Sequence, residues 1–212
     1  MDKARPMRAD ARRNYEQLLE QARIAFAEFG ADASLDEIAR RAGVASGTLY
    51  RHFPTRLDLI ETVLAGQIEE LVELGRRLLA DAGPLDVDSR GTGSGDADSR
   101  HADSPDPAPL DALTVWLRAA VVHGLTYRGL AAAVMNSALS HDLVAGWHAE
   151  MFAVGADLLA RAREAGAITA VADDADVLRM VGAIAWAAQD APETADRLLA
   201  LLVDGLRYGG AS

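Results

Sequence analysis

The segment 46–52 is rich in groups that can bind a polyanion and the bases it carries. Hydroxyl groups come first, and a phenol, a guanidinium and an imidazole follow, on Ser46, Thr48, Tyr50, Arg51 and His52. Such donors bond phosphate oxygens, and a guanidinium also matches the edge of a guanine. Small residues at the start of a helix with larger donors after them suit a helix that enters the major groove. This spacing therefore points to DNA.

The segment 34–53 reads as two short helices joined by a tight turn. Ser34 and Glu37 have the spacing of a capping box, in which each side chain bonds the backbone N–H of the other residue. Gly43 ends the first helix, because glycine adopts a left-handed conformation without a Cβ penalty. Apolar residues recur at helical spacing and are expected to face inward: Leu35, Ile38, Ala39 and Ala42 in the first helix, and Ala45, Leu49 and Phe53 in the second. The pattern predicts a helix-turn-helix.

The run from Ala42 to Phe53, followed by Arg56 and Leu57, resembles the DNA-binding domain of the tetracycline-repressor-like (TetR) family of bacterial regulators. The resemblance covers roughly residues 10 to 65, with a long helix before the motif and another after it. It implies that backbone phosphates are bound by Thr48, Tyr50, His52 and Arg56. It also implies that Ser46, Gly47 and Arg51 lie nearest to base edges, and that Ser34 and nearby backbone amides supply the phosphate contact of the first short helix.

Three of these assignments have a purely structural alternative. Tyr50 could be an ordinary packing aromatic, and His52 could be an ordinary surface residue. Arg56 could cover the start of the next helix instead of binding phosphate. The surrounding motif favours the DNA contacts.

The charge of the chain is unevenly distributed. The whole chain carries a net charge of −11, which is a poor match to DNA. Residues 1–56, however, hold ten basic and eight acidic residues, whereas the remainder holds 11 and 24. This asymmetry predicts a DNA-binding domain at 1–56 and a domain at 57–212 that does not touch DNA. The family resemblance implies that the second of these is a regulatory and dimerisation domain. A basic cluster at the start is either an arm that reaches DNA or a solvated tail: Lys3, Arg5, Arg8, Arg12 and Arg13.

The rest of the chain predicts an all-α fold. Beyond the motif, helices are expected at 9–29, from Thr55 to about Asp81, and at 110–124, 125–139, 142–166, 174–189 and 192–208. Residues 177–188 contain a single polar residue, Arg179, so this helix is expected to be buried on nearly every side. Gly83 to Pro109 is dominated by Gly, Pro, Ser and Asp, and it predicts a disordered acidic loop, either a regulatory segment or a tolerated insertion.

The family resemblance implies a small-molecule cavity and a homodimer. The effector-pocket candidates are the aromatic, thioether and imidazole side chains of the body: Trp116, His123, Tyr127, Met135, Trp147, Met151, Phe152 and Trp186. Each of them could instead fill the core. The dimer-interface candidates are Leu198, Leu199, Leu202, Val203 and Leu206, and packing within one chain is the alternative for them. An apolar lining predicts a largely apolar effector.

The sequence favours no enzyme and no cofactor. His141 and His148 lie seven residues apart, which is not the spacing that places two imidazoles on one metal, and the chain has no cysteine. No signal peptide or membrane span is recognised, so a cytoplasmic location is expected. Two functions follow: a ligand-responsive regulator, most simply a repressor that binds a palindromic operator as a homodimer, or a DNA-binding or partner-binding helical protein without a small-molecule effector.

Overall fold

The computed structural model describes residues 4–81, 107–135, 141–169 and 172–208, and the longer elements within these ranges are eight α-helices. Short 3-10 turns at Gly30–Asp32 and Pro192–Thr194 accompany them. The all-α prediction is confirmed. The helices are α1 Ala4–Phe29, α2 Leu35–Arg41, α3 Ser46–His52, α4 Arg56–Asp81, α5 Pro107–Met135, α6 His141–Glu164, α7 Asp174–Ala187 and α8 Ala195–Tyr208.

The chain forms two compact units. The first comprises Met1–Glu69 with Thr126–Trp147, and the second comprises Glu70–Leu125 with His148–Ser212. The first unit contains the whole expected domain 1–56 and adds the first half of α4, the end of α5 and the start of α6. The segment 57–212 therefore contributes residues to both units.

The core of the first unit holds the two short helices in place. Four side chains that come from α1, α2 and α3 are fully buried in it: Leu18, Phe26, Ile38 and Leu49. Burying each aliphatic or aromatic side chain of this size contributes about 1.5–3 kcal/mol. Ala45 was expected to face this core but is exposed. It is the N-cap of α3, with an extended backbone (φ −70°, ψ 145°), and so it lies outside the helical register of Leu49 and Phe53.

Several boundaries differ from those predicted. The helix α1 begins at Ala4, so the residues expected to form a basic arm are helical from that point on. The two helices predicted at 110–124 and 125–139 are one helix, α5. Gly124 does not end it; a Cβ atom there would come within 2.8 Å of the Cβ of Ala185, so this glycine permits close approach to α7. The predicted loop 83–109 lies outside the described residues as far as 106, and its last three residues begin α5.

The helix α7 is not buried on every side. One face contributes Val177, Val181 and Ile184 to the core of the second unit. Met180 and Trp186 point away from that core, with 49% and 71% of their surface exposed. The prediction failed because apolar composition does not show which faces have a neighbour within the same chain.

The turn between α2 and α3 confirms the predicted glycine geometry. Gly43 has φ +70°, and the N–H of Val44 donates to the carbonyl of Ala39 at 3.0 Å. At the other end of α2, the Ser34 hydroxyl accepts from the N–H of Glu37 at 3.3 Å. A left-handed residue at this point reverses the chain, and α3 begins three residues later.

Replacing Gly43 by alanine should destabilise the chain by about 1–2 kcal/mol, the cost of a left-handed backbone at a residue with a Cβ. No atom would collide with the added methyl, so the loss is one of backbone conformation. Gly47→Ala is the matched control, since Gly47 has ordinary helical geometry and equally open space; it should be neutral or stabilising. Urea unfolding of both variants measures the difference, and equal stabilities would contradict this account of the turn.

Candidate nucleic-acid interface

The helix α3 has a buried residue on one side and an exposed surface on the other. Leu49 is fully buried, whereas Tyr50 is 46% exposed and Gly47 and Arg51 are also exposed. The remaining predicted DNA contacts of this helix, Ser46, Thr48 and His52, are half-buried. The structure therefore brings these six predicted residues together on two helical turns, and the side chains with the greatest reach point to solvent.

The ring of His52 is supported by a residue that the sequence pattern did not single out. Tyr15 on α1 meets His52 edge to face with a centroid distance of 5.6 Å, and it stacks on Phe53 at 5.4 Å. Aromatic pairs with this geometry add about 0.5–1.5 kcal/mol to area burial. Tyr15 lies 37 residues before His52 in the sequence, so no local pattern could have indicated the contact. It restricts where the imidazole can point.

Arg56 is occupied by the protein itself. Its Nη1 group donates to the carbonyl of Ala31 at 2.8 Å and also to the carbonyl of Ala33. The side chain is half-buried. Of the two roles open to Arg56 from the sequence, these contacts match the structural one at the start of α4, although they join it to the turn before α2 and not to α4 alone.

Two other cations of the motif share one carboxylate. Arg40 donates to both oxygens of Glu37 at 2.7 Å, and Arg41 donates to the same carboxylate at 2.8 Å. Arg41 also lies 3.7 Å from a carboxylate oxygen of Glu28. These hydrogen bonds, above all that from Arg40, lower the pKa of Glu37 to about 2. The end of α2 therefore presents less positive charge than its sequence suggests.

Arg51 stands apart from these paired cations. It is exposed, and it takes part in none of the hydrogen bonds or ion pairs found among the residues that the structure describes. A guanidinium has five N–H donors in a planar fork, which fits the O6 and N7 acceptors of guanine. The helix thus presents a cation with free donors beside the exposed phenol of Tyr50.

Ser34 is exposed and is already used as the N-cap of α2. The predicted capping box also expected the Glu37 carboxylate to accept from the backbone N–H of Ser34. That carboxylate instead accepts from Arg40 and Arg41. The hydroxyl oxygen of Ser34 accepts the bond from Glu37, and its own O–H remains a donor that a phosphate oxygen could receive.

The effector-pocket candidates whose side chains the structure describes are divided between the two units. Tyr127 is buried in the core of the first unit, whereas Trp116 is buried in the second, where its indole N–H donates to the carbonyl of Leu71 at 3.0 Å. Trp186 is 71% exposed and so lines no enclosed cavity of the single chain. The half-buried candidates of the second unit are His123, Met151 and Phe152. The side chains of Met135 and Trp147 lie outside the described residues.

The dimer-interface candidates divide in the same way. Leu199 and Leu206 are 2% and 3% exposed, so they pack within the chain and are not available to a partner. Three others are half-buried: Leu198, Leu202 and Val203. The exposed leucine of α8 is instead Leu201, which sequence reasoning did not name and which is 68% exposed. The predicted stripe was broad enough to include both the inner face and its edges.

The described residues contain no group of three or more metal-ligating side chains placed to hold an ion. Within the same residues, no helix has the length and apolar character that crossing a membrane requires.

The carboxyl group of Glu37 should titrate near pH 2 in the folded chain, compared with its ordinary value of 4.5. Because the folded pKa is the lower one, its ion pairs stabilise the fold fully above about 4.5, and this stabilisation is lost as the pH falls toward 2. NMR titration of the side-chain carbon measures the midpoint, which should rise in Arg40→Gln. A midpoint near 4.5 in the unmodified chain would show that the arginines are solvated.

Comparison with known proteins places this geometry in a family. Residues 18–63 match the family described as bacterial regulatory proteins, tetR family, and residues 108–208 match the C-terminal domain of SbtR-like transcriptional regulators. TtgW, an uncharacterized HTH-type transcriptional regulator of Pseudomonas putida, is 38% identical over 65 residues. That match covers 30% of this chain and 48% of TtgW, so it extends over about half of the relative.

Two solved structures extend the similarity to nearly the whole chain. The TetR transcription regulatory protein of Mycobacterium vanbaalenii is 32% identical with a TM-score of 0.67, and the match covers 95% of this chain and 99% of that one. The TetR transcriptional regulator SCO0520 of Streptomyces coelicolor is 30% identical with a TM-score of 0.66, covering 91% and 97%. Members of this family are regulators and not enzymes. The chain belongs to the TetR family of transcriptional regulators.

Proposed function

We propose that this regulator is a repressor that binds a palindromic operator as a homodimer and is released by a small, largely apolar effector. The observation that carries the proposal is the exposed face of α3, where Tyr50 and Arg51 stand beside Gly47 on a helix whose opposite side is fixed by buried Leu49. A short helix with its donors outward and its register fixed can enter the major groove without rearranging.

The residues of α3 have different roles in this proposal. Arg51 reads a base edge, because its guanidinium is exposed and lies one helical turn after Gly47 on the same exposed face. Tyr50 and His52 bind phosphates on either side, and Thr48 adds a hydroxyl donor. Ser46 and Gly47 form the first turn, where the absence of a large side chain lets the backbone approach the bases. These contacts separate positioning from sequence recognition.

Two copies are needed to read a palindrome. One two-turn helix reaches only a few base pairs, whereas a symmetric pair reads two half-sites about one or more helical turns apart. The helices α7 and α8 pack on each other and leave Met180, Trp186 and Leu201 exposed on their outer sides. Burying such side chains against a second copy is the simplest explanation of their exposure. The interface is therefore proposed on these residues, with Leu198, Leu202 and Val203 at its edge.

The effector part of the proposal rests on the family, whose members typically repress transcription and bind ligands. Within the second unit, the half-buried His123, Met151 and Phe152 are the described candidates with side chains suited to an apolar ligand. An effector that binds the DNA-free form better must weaken operator binding by the same coupling factor. A ligand that binds without altering operator affinity would instead favour a regulator with a protein partner.

Arg51→Ala and Tyr50→Ala should have different effects on DNA binding. On the duplex that the wild-type protein selects from a random library, Arg51→Ala should cost about 1–3 kcal/mol and relax the preference at one or two base pairs. Tyr50→Ala should weaken binding to selected and random duplexes alike, since a phosphate contact carries no base information. Titration of labelled duplexes measures both. Losses for Arg51→Ala that are equal on every sequence would show that Arg51 binds phosphate.

Leu201→Asp should convert the homodimer into a monomer, because a carboxylate would be buried without a partner in the proposed interface. Analytical ultracentrifugation gives the mass, and circular dichroism checks that the helices are retained. Ile24→Asp is the matched control: Ile24 is 42% exposed on α1 and belongs to the first unit, whereas α7 and α8 belong to the second, and its replacement should leave the mass unchanged. A Leu201→Asp variant that remains dimeric would place the interface elsewhere.

A further inference from the structure

The contacts of Arg56 join two segments that are distant in the sequence. Arg56 is the first residue of α4, and its Nη1 group donates to Ala31 and Ala33, 25 and 23 residues earlier. These two carbonyls lie in the turn that follows α1, directly before Ser34. Both hydrogens of Nη1 are therefore used within the first unit.

The acceptors are groups that need a partner. Carbonyls at the end of a helix have no N–H of the next turn to bond, and they attract a cation. Ala33 is 2% exposed, so water has little access to that residue. The Arg56 guanidinium donates to both carbonyls from one nitrogen. Its positive charge also offsets part of the negative charge on these two oxygens.

The turn that Arg56 holds also determines where α2 begins. Ser34 follows Ala33 and caps α2, and its carbonyl accepts the first backbone bond of that helix from Ile38 at 3.0 Å. The start of α4 is fixed separately, because Thr55 and Asp58 each bond the backbone N–H of the other. The Arg56 guanidinium thus connects the cap of α2 to the start of α4, and each of these two ends is also held by its own hydrogen bonds.

We propose that Arg56 is a positioning residue: it ties the start of α4 to the turn before α2 and so sets the helix-turn-helix against α4, instead of holding a DNA phosphate. The effect of this contact on DNA binding rests on the proposed function, whereas the contact between Arg56 and the turn before α2 does not. A displacement of the start of α4 would then be transmitted to Ser34 and α2 through this guanidinium. The proposal replaces the phosphate role implied for Arg56 by the family resemblance.

Amide hydrogen exchange without DNA tests the tie directly. In Arg56→Ala, the amides of Ala33, Glu37 and Ile38 should exchange roughly tenfold faster, because two charge-assisted hydrogen bonds are lost. Arg51→Ala is the matched control, since it removes an exposed guanidinium without such contacts, and it should leave these amides unchanged. Equal exchange in the Arg56→Ala and wild-type chains would overturn the tie. Arg56→Lys, which keeps the charge on a shorter side chain, should show the same acceleration in smaller measure, and it decides the matter if Arg56→Ala does not fold.

The salt dependence of operator binding separates positioning from phosphate contact. The slope of log K against log salt is negative, and the loss of one phosphate contact in each subunit makes it less steep by about 0.9 per subunit. We expect an unchanged slope in Arg56→Ala, with a larger loss of affinity on the selected duplex than on random DNA. A lower slope, or full activity in Arg56→Lys with normal amide exchange, would assign Arg56 to phosphate. If the wild-type protein selects no duplex, the proposed function fails. The amide exchange is measured without DNA, so it still tests the Arg56 contact in that case.

Discussion

The burial of Leu49 is the interaction on which the proposed DNA-binding surface depends. A helix of seven residues has too few hydrogen bonds to persist alone, so tertiary contacts must hold α3 in place. Because successive residues of a helix point about 100° apart, fixing Leu49 inward turns Gly47, Tyr50 and Arg51 outward. Gly43 supplies the left-handed turn that lets α3 leave α2 at the required angle. Recognition thus follows from packing, and its side chains need no further ordering of the backbone.

Electrostatics limits this surface as much as it supports it. The chain is acidic overall, and Glu37 bonds both Arg40 and Arg41 at the end of α2. A surface of this kind gains little from unspecific attraction to the phosphate backbone. Affinity must then come from a small set of well-placed groups, chiefly those on α3. Residues 57–212 hold 11 basic and 24 acidic residues, so the field of this part of the chain repels DNA.

The features that could be predicted from the sequence are those with local causes. The capping serine, the positive-φ glycine and the apolar spacing of α2 each act within a few residues, and the structure confirms them. Of the inward residues predicted for α3, Leu49 and Phe53 are buried, whereas Ala45 is not. Gly124 was misread as the end of a helix because its reason is a close approach to Ala185, 61 residues away. Periodicity placed Leu199 in the apolar stripe of α8 and left Leu201 out, but it could not show that Leu199 packs within the chain while Leu201 is exposed. The contacts of Arg56 and Tyr15 likewise exist only in the folded chain.

The central claim is that this chain recognises a specific palindromic DNA sequence through α3. Selection of bound duplexes from a random library by the purified protein, at near-physiological salt, tests it most directly. The account predicts enrichment of one inverted repeat, with half-site centres spaced by about one helical turn or more. Recovery of duplexes that share no pattern, with binding that disappears as salt is raised, would contradict it.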